Sequence, residues 1–147
     1  DSNQILKRVS IINSFVDYNL NIPPTVVTIE KDEIIIEQKY LKKASKLNDI
    51  PEFIREKLIV DIEATIDTLH SIGFVHGDIN RKNIIYAENK LWLIDIEPSL
   101  KQIKNGLKKW MVTSPYAAHE DLKNNNITEA TDIYAFDCFK KWFIVDI

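Results

Sequence analysis

The stretch that decides the fold reads H-G-D-I-N-R-K-N at residues 76–83 and leads, through two short apolar runs, to L-W-L-I-D at residues 91–95. It places Asp78 and Asn83 before a predicted β-hairpin and Asp95 after it. An aspartate directly after an apolar strand is poorly explained by packing, because a charge at the rim of a core is costly unless it is paired. Carboxylate and amide oxygens in this pattern suit Mg²⁺ rather than zinc.

The pattern also points to a reaction. Phosphoryl transfer needs one carboxylate that orients or deprotonates the attacking hydroxyl, and an Asn and a second Asp that hold Mg²⁺ on the phosphates. The spacing resembles the H-R-D-L-x-x-x-N and D-F-G motifs of protein kinases. Residues 113–120, T-S-P-Y-A-A-H-E, resemble the end of a kinase activation segment, and residues 128–136, T-E-A-T-D-I-Y-A-F, resemble the start of the buried helix that follows. The chain is identified as a member of the protein-kinase superfamily, with a resemblance over about residues 25–140.

The resemblance implies a role for each site residue. Asp78 would be the catalytic base or the group that positions the hydroxyl, while Asn83 and Asp95 would complete the catalytic set, hold Mg²⁺ and contact ATP. Residues 38–41 would form the hinge between two lobes, with Lys39 and Tyr40 against the nucleotide.

Three further residues would support the site. His76 would pack beneath the loop and play a structural part. Asp132 would anchor the backbone of that loop; the alternative is an ordinary carboxylate in the first turn of a helix, where the dipole favours it. Thr113 would hydrogen-bond the catalytic aspartate.

The implied fold class is α+β. We expect a single protein-kinase-like domain over residues 1–147, with a partial small lobe and hinge at 1–41 and a truncated, mostly helical large lobe at 42–147. The small lobe would consist of one helix and one β-hairpin.

Local patterns predict three helices and two hairpins. The apolar stripes of the helices are Ile5, Val9, Ile12 and Val16, then Ile59, Ile62, Ile66 and Leu69, then Ile133, Phe136, Phe139 and Phe143. The strands are predicted at residues 25–30, 33–38, 84–87 and 91–94. Residues 96–128 are predicted to be mostly loop with short helical turns.

Several features depart from the kinase pattern. The chain contains only Gly73, Gly77 and Gly106, so it holds no Gly-rich loop over the phosphates. No strand lysine precedes the first helix, and that helix lacks the glutamate that would pair with it. Gly77 stands where an arginine usually receives an activation-loop phosphate, so we expect no regulation of that kind.

Two alternatives compete with a protein serine/threonine kinase. The H-G-D and I-D-x-E motifs also resemble those of aminoglycoside and choline kinases, which phosphorylate small molecules. Residues 113–120 and 128–136 nevertheless favour protein kinases. The missing Gly-rich loop and lysine favour a pseudokinase, a binding module without catalysis. Retention of Asp78, Asn83 and Asp95 together favours the enzyme.

Composition sets broader limits. A length of 147 residues suits one domain with its own core. The net charge of −3 and the lack of a basic block give no electrostatic case for nucleic acid. The single cysteine, Cys138, cannot form an internal disulfide. No apolar run reaches the roughly 18–20 residues that span a bilayer, and no signal peptide is recognised, so we expect a cytoplasmic protein away from membranes.

The last helix suggests a macromolecular partner besides the protein substrate. Its apolar residues lie on more than one face, with Trp142, Ile144 and Val145 outside the main stripe. A helix that is apolar nearly all round is normally buried. We therefore expect residues 139–147 to contact a partner chain, a second copy or sequence beyond these 147 residues.

Overall fold

The computed structural model describes residues 2–31, 33–97 and 127–146. The described residues contain three α-helices, α1 (Ser2–Asn13), α2 (Glu52–Ser71) and α3 (Glu129–Lys141). They also contain four strands, β1 (Thr25–Glu30), β2 (Glu33–Gln38), β3 (Ile84–Ala87) and β4 (Lys90–Leu93). Short 3₁₀ turns lie at Phe15–Asp17 and Leu47–Asp49, and a π-helical turn lies at Trp142–Asp146. The strands form two separate antiparallel hairpins, β1–β2 and β3–β4. The α+β class is therefore confirmed, and so are both hairpins, with the fourth strand one residue earlier than predicted. The prediction for residues 96–128 falls mostly outside the described residues.

Helix α1 packs on the first hairpin through its predicted stripe, in which Val9 and Ile12 are buried. The side chain of Asn13 receives a hydrogen bond from the amide of Val27 at 2.8 Å and donates one to its carbonyl at 2.9 Å. Because both backbone groups of one strand residue are used, the end of α1 is fixed against β1.

The predicted stripe of α1 is wrong at Val16, whose side chain is 86% exposed. The α-helix ends at Asn13, and the chain tightens into a 3₁₀ turn with about three residues per turn. This change of period turns Phe15 inward instead, where its ring meets Phe74 edge-on at 5.3 Å.

Helix α2 forms the centre of the core. Its predicted stripe is confirmed, since Ile59, Ile62, Ile66 and Leu69 are all buried. The helix ends at Ser71, and Gly73 adopts a φ of +86°, which glycine tolerates without a steric cost. This left-handed residue turns the chain back toward the loop at residues 76–83.

The predicted apolar stripe of α3 is confirmed at Phe136, Phe139 and Phe143, which are buried, and wrong at Ile133, which is 52% exposed. Asp132, at 1% exposure, takes the first position of the buried face instead. Steps of four, three and four keep these residues on one helical face. A carboxylate consequently occupies a core position.

The end of α3 is better covered than its sequence suggested. Phe143 is fully buried, stacks on Phe139 with centroids 5.5 Å apart, and lies under the guanidinium of Arg55 at 5.4 Å. Arg55 also donates to the carbonyl of Phe143 at 3.3 Å. Phe139 and Phe143 are thus unavailable to a partner, while Val145 is 70% exposed. A partner contact at residues 139–147 stays a prediction.

Across the three described ranges, no helix combines the length and the apolar character needed to cross a bilayer.

Candidate active site

The loop at residues 76–83 lies between α2 and β3 in the chain, and Asp132 on α3 is hydrogen-bonded to it. Its Oδ2 accepts the amide of His76 at 2.8 Å, and its Oδ1 accepts the amide of Gly77 at 2.9 Å. Nε2 of His70 lies 2.9 Å from the same Oδ2, joining the end of α2 to the cluster. The predicted anchoring role of Asp132 is confirmed, and the alternative of an ordinary first-turn carboxylate is wrong.

His76 connects this loop to the end of β4. Its Nε2 lies 2.8 Å from the carbonyl oxygen of Ile94, and its Nδ1 accepts the amide of Asp78 at 3.1 Å. One ring nitrogen must donate and the other accept, which corresponds to a neutral imidazole with the proton on Nε2. His76 is buried and has the structural role that the sequence predicted.

The carboxylate of Asp78 is held by two amide side chains. Nδ2 of Asn80 lies 3.0 Å from its Oδ1, and Nδ2 of Asn83 lies 3.3 Å from its Oδ2. Both amides also donate to the carbonyl of Asp78, at 3.1 and 2.8 Å. The side chain of Asp78 is therefore oriented from two sides while remaining half-buried.

Asn80 is a site residue that the sequence reasoning missed. It is 2% exposed, and its Oδ1 accepts the amide of Lys82 at 2.8 Å, which closes a tight turn inside the loop. Asn favours such side-chain-to-backbone turns two residues on. That local preference was the available signal.

Asp95 is brought next to Asn83 through the backbone. The amide of Ile94 donates to the carbonyl of Asn83 at 2.9 Å, so the residue before Asp95 is bonded to the loop that carries Asp78. Asp78 and Asn83 are thus bonded to each other, and Asp95 directly follows the residue that is bonded to Asn83.

The backbone of Asp95 is unusual, with a φ of +63°. Residues other than glycine rarely adopt this region, although Asp and Asn are enriched there. Such conformations cost on the order of 1–3 kcal/mol and persist where the surroundings fix them. Sequence reasoning did not predict this backbone conformation.

A cavity of about 550 Å³ lies beside the loop and includes Lys43, Lys46 and Arg81 in its lining. The guanidinium of Arg81 stacks over the ring of Trp142, 4.6 Å from its centroid. This contact ties the loop to the turn that follows α3.

A second cavity, of about 510 Å³, opens where the first hairpin meets the second. Lys39 and Tyr40, the predicted hinge residues, line one side of it. Leu41, Ile85 and Ile94 give it an apolar wall, and Ile94 directly precedes Asp95. The cavity therefore lies next to the segment that carries the candidate metal ligand.

Two sequence expectations lie outside the described residues: the 113–120 segment and the contact of Thr113 with the catalytic aspartate.

The sequence matches the family model described as the protein kinase domain over residues 10–141. The chain therefore belongs to the protein kinase family. It is 27% identical over 93 residues to the KEOPS complex subunit Bud32 of Pyrococcus abyssi, a match that covers 61% of this chain and 42% of the relative.

Two other relatives are named as serine/threonine kinases. The chain is 30% identical over 103 residues to the serine/threonine-protein kinase/endoribonuclease IRE1b of Arabidopsis thaliana, covering 63% of this chain and 12% of the relative. It is 30% identical over 114 residues to the serine/threonine-protein kinase PKH1 of Saccharomyces cerevisiae, a match that covers 67% of this chain and 14% of the relative. The matches span less than half the length of each of these three relatives.

Proposed function

We propose that the chain transfers the γ-phosphoryl group of ATP to a serine or threonine hydroxyl of a protein, as a reduced protein-kinase-like domain. The observation that carries the proposal is the hydrogen bond between Asn83 and Asp78, together with the backbone bond between Asn83 and Ile94, the residue directly before Asp95. A base and two metal ligands must act on the same phosphoryl group, so they must belong to one rigid constellation.

In this proposal the nucleotide occupies the 510 Å³ cavity. The adenine ring would rest on the apolar wall of Leu41, Ile85 and Ile94, and the backbone around Lys39 and Tyr40 would hold its edge. Residues 1–41 would act as the partial small lobe and hinge, and residues 42–147 as the large lobe.

The donor set fits Mg²⁺. Both side-chain hydrogen bonds recorded for Asn83 use its Nδ2, so its Oδ1 is the atom suited to a metal, and Asp95 would supply a carboxylate oxygen. When bound, the ion neutralises charge on the phosphates. Asp78, oriented by Asn80 and Asn83, would position the substrate hydroxyl and accept its proton.

A pseudokinase is the second candidate, because this chain lacks a Gly-rich loop and α1 contains no carboxylate in its sequence. The kinase names of the relatives and the matched family model support a protein substrate over a small molecule. The similarity to a subunit of a complex supports a partner chain.

The metal site is tested by nucleotide affinity with Mg²⁺ and with EDTA. We expect tighter ATP binding with Mg²⁺, and loss of the difference in Asp95→Ala. Asp61→Ala, on an exposed face of α2, is the matched control and should behave as wild type. Equal affinities in Mg²⁺ and EDTA for the wild-type chain would rule out a kinase-type metal site.

Catalysis is tested separately by Asp78→Asn, which keeps the shape of the side chain and removes the base. We expect phosphoryl transfer to fall by roughly 10²–10⁴-fold while ATP affinity stays near wild type, and Asp67→Asn on the exposed face of α2 to change neither. Wild-type protein that binds Mg²⁺–ATP but transfers nothing to any peptide would support the pseudokinase.

A further inference from the structure

Arg8 links α1 to both segments of the candidate site. Its Nη1 donates to the carbonyl of Val75 at 2.8 Å, just before the loop that carries Asp78. Its Nη2 donates to the carbonyl of Glu97 at 2.9 Å, two residues after Asp95. The same guanidinium lies 4.2 Å from the centroid of the Phe74 ring. One side chain therefore spans from the first helix to two segments distant in sequence.

The bond to Glu97 matters because of the strained backbone of Asp95. On the N-terminal side, Ile94 is fixed at both backbone groups, by the carbonyl of Asn83 and by the ring of His76. On the C-terminal side, Arg8 holds the carbonyl of Glu97. A residue in a sparsely populated conformation persists only where the surrounding structure over-determines it. Arg8 supplies a restraint on the second side.

The charge of Arg8 suits this role. Burial lowers the pKa of its guanidinium to about 10, and the nearby carboxylates of Asp132 and Glu97 act in the opposite direction. The group thus stays protonated at neutral pH, and its two hydrogen bonds to carbonyls are charge-assisted. Two bonds from one planar fork also fix direction, which a lysine could not reproduce.

We propose that Arg8 is a positioning residue whose hydrogen bonds to Val75 and Glu97 set the backbone of the Asp95 turn, so that loss of these bonds weakens metal binding at Asp95. The metal-binding part of this inference depends on the proposed function, whereas the restraint on residues 93–97 does not.

The experiment compares Arg8→Met, Arg8→Lys and the control Lys7→Met in the full chain. Methionine keeps an apolar stem against Phe74 and removes both donors, lysine keeps the charge but can reach only one carbonyl, and Lys7 is an exposed neighbour on α1. Amide hydrogen exchange is followed in the peptide covering residues 93–97, and ATP affinity is titrated against Mg²⁺.

We expect faster exchange in residues 93–97 for Arg8→Met, a smaller increase for Arg8→Lys, and none for Lys7→Met. The Mg²⁺ concentration that gives half of the affinity gain should rise by roughly 10–100-fold in Arg8→Met, as for other residues that orient metal ligands. ATP affinity in EDTA should stay unchanged, which a general loss of folding would not produce.

Wild-type exchange in residues 93–97 for a folded Arg8→Met, with only a lower unfolding temperature, would overturn the proposal. If Arg8→Met does not fold, the Arg8→Lys variant provides the test. Wild-type hydrogen exchange in residues 93–97 together with wild-type Mg²⁺ dependence of ATP affinity in Arg8→Lys would overturn the proposal. If the wild-type chain shows no Mg²⁺-dependent binding, the proposed function fails, while hydrogen exchange still reports on the Arg8 restraint.

Discussion

The two β-hairpins have similar sequence signals and opposite environments. Each consists of two short strands rich in β-branched or aromatic residues around a polar turn, and each is antiparallel. In the second hairpin Ile84, Ala87, Leu91 and Leu93 are at most 1% exposed. In the first, Val27 is buried, but Ile36, Ile29 and Ile34 on the same face remain 39–43% exposed.

The difference shows which hairpin positions the site. Both strands of the second hairpin are bonded to other segments, since the amide of Leu93 donates to the carbonyl of Asn21 at 2.8 Å and the amide of Ala44 donates to the carbonyl of Tyr86 at 2.9 Å. The first is attached mainly through Asn13 at its β1 strand. The buried hairpin carries Asn83 before it and Asp95 after it, whereas the exposed hairpin leads to the predicted hinge residues.

The largest expected effect distinguishes the two hairpins. Leu93→Ala should lower the free energy of unfolding by roughly 2–5 kcal/mol, because it leaves a cavity in a closely packed region. Ile36→Ala should cost on the order of 1 kcal/mol, because its side chain is already partly in water. Chemical denaturation measures both, and equal costs would contradict the contrast.

An effect of intermediate size on stability is expected at Asp132, which anchors the loop at residues 76–83 before the second hairpin. Asp132→Asn places an amide where backbone N–H groups need an acceptor, so we expect a loss of about 1–3 kcal/mol. Hydrogen exchange should increase in β3–β4 and hardly change in β1–β2. Asp137→Asn, exposed on the same helix, is the control. Uniform faster exchange in both hairpins would show that Asp132 supports the whole fold rather than this loop.

The smallest expected effect on stability comes from glycine substitutions in the turns of the two hairpins. Lys31 has a φ of +53° between β1 and β2, and Asn89 a φ of +63° between β3 and β4. Lysine is less tolerant of this region than asparagine, so Lys31→Gly should stabilise the chain by up to about 1 kcal/mol and Asn89→Gly by a few tenths. Thermal unfolding compares them, and a greater gain at Asn89 would reverse the ranking.

Much of the fold could be predicted from local sequence. Apolar periodicity located the three helices, and β-branched runs located four strands, because helix and strand repeat at different intervals along the chain. The boundaries were less certain. Val16 and Ile133 were predicted to be buried but are exposed, since a 3₁₀ turn moves Val16 out of the core and the buried face of α3 begins at Asp132.

In the candidate site, too, some features could be predicted from the sequence and others only from the tertiary structure. Sequence by itself determined which chemistry-bearing residues are present: the carboxylates of Asp78 and Asp95, the amide of Asn83 and the anchoring carboxylate of Asp132. Their identities and spacing belong to the chain whatever shape it takes.

Only the tertiary structure decided how those groups are held. The bonds from Asp132 to the loop span 55 and 56 residues, and those of Arg8 span 67 and 89. No local period encodes contacts at such separations, because they form only after α1, α2 and α3 have packed around the second hairpin. The left-handed backbone of Asp95 is likewise a feature of the folded chain, since a sparsely populated conformation persists only where the surrounding structure over-determines it.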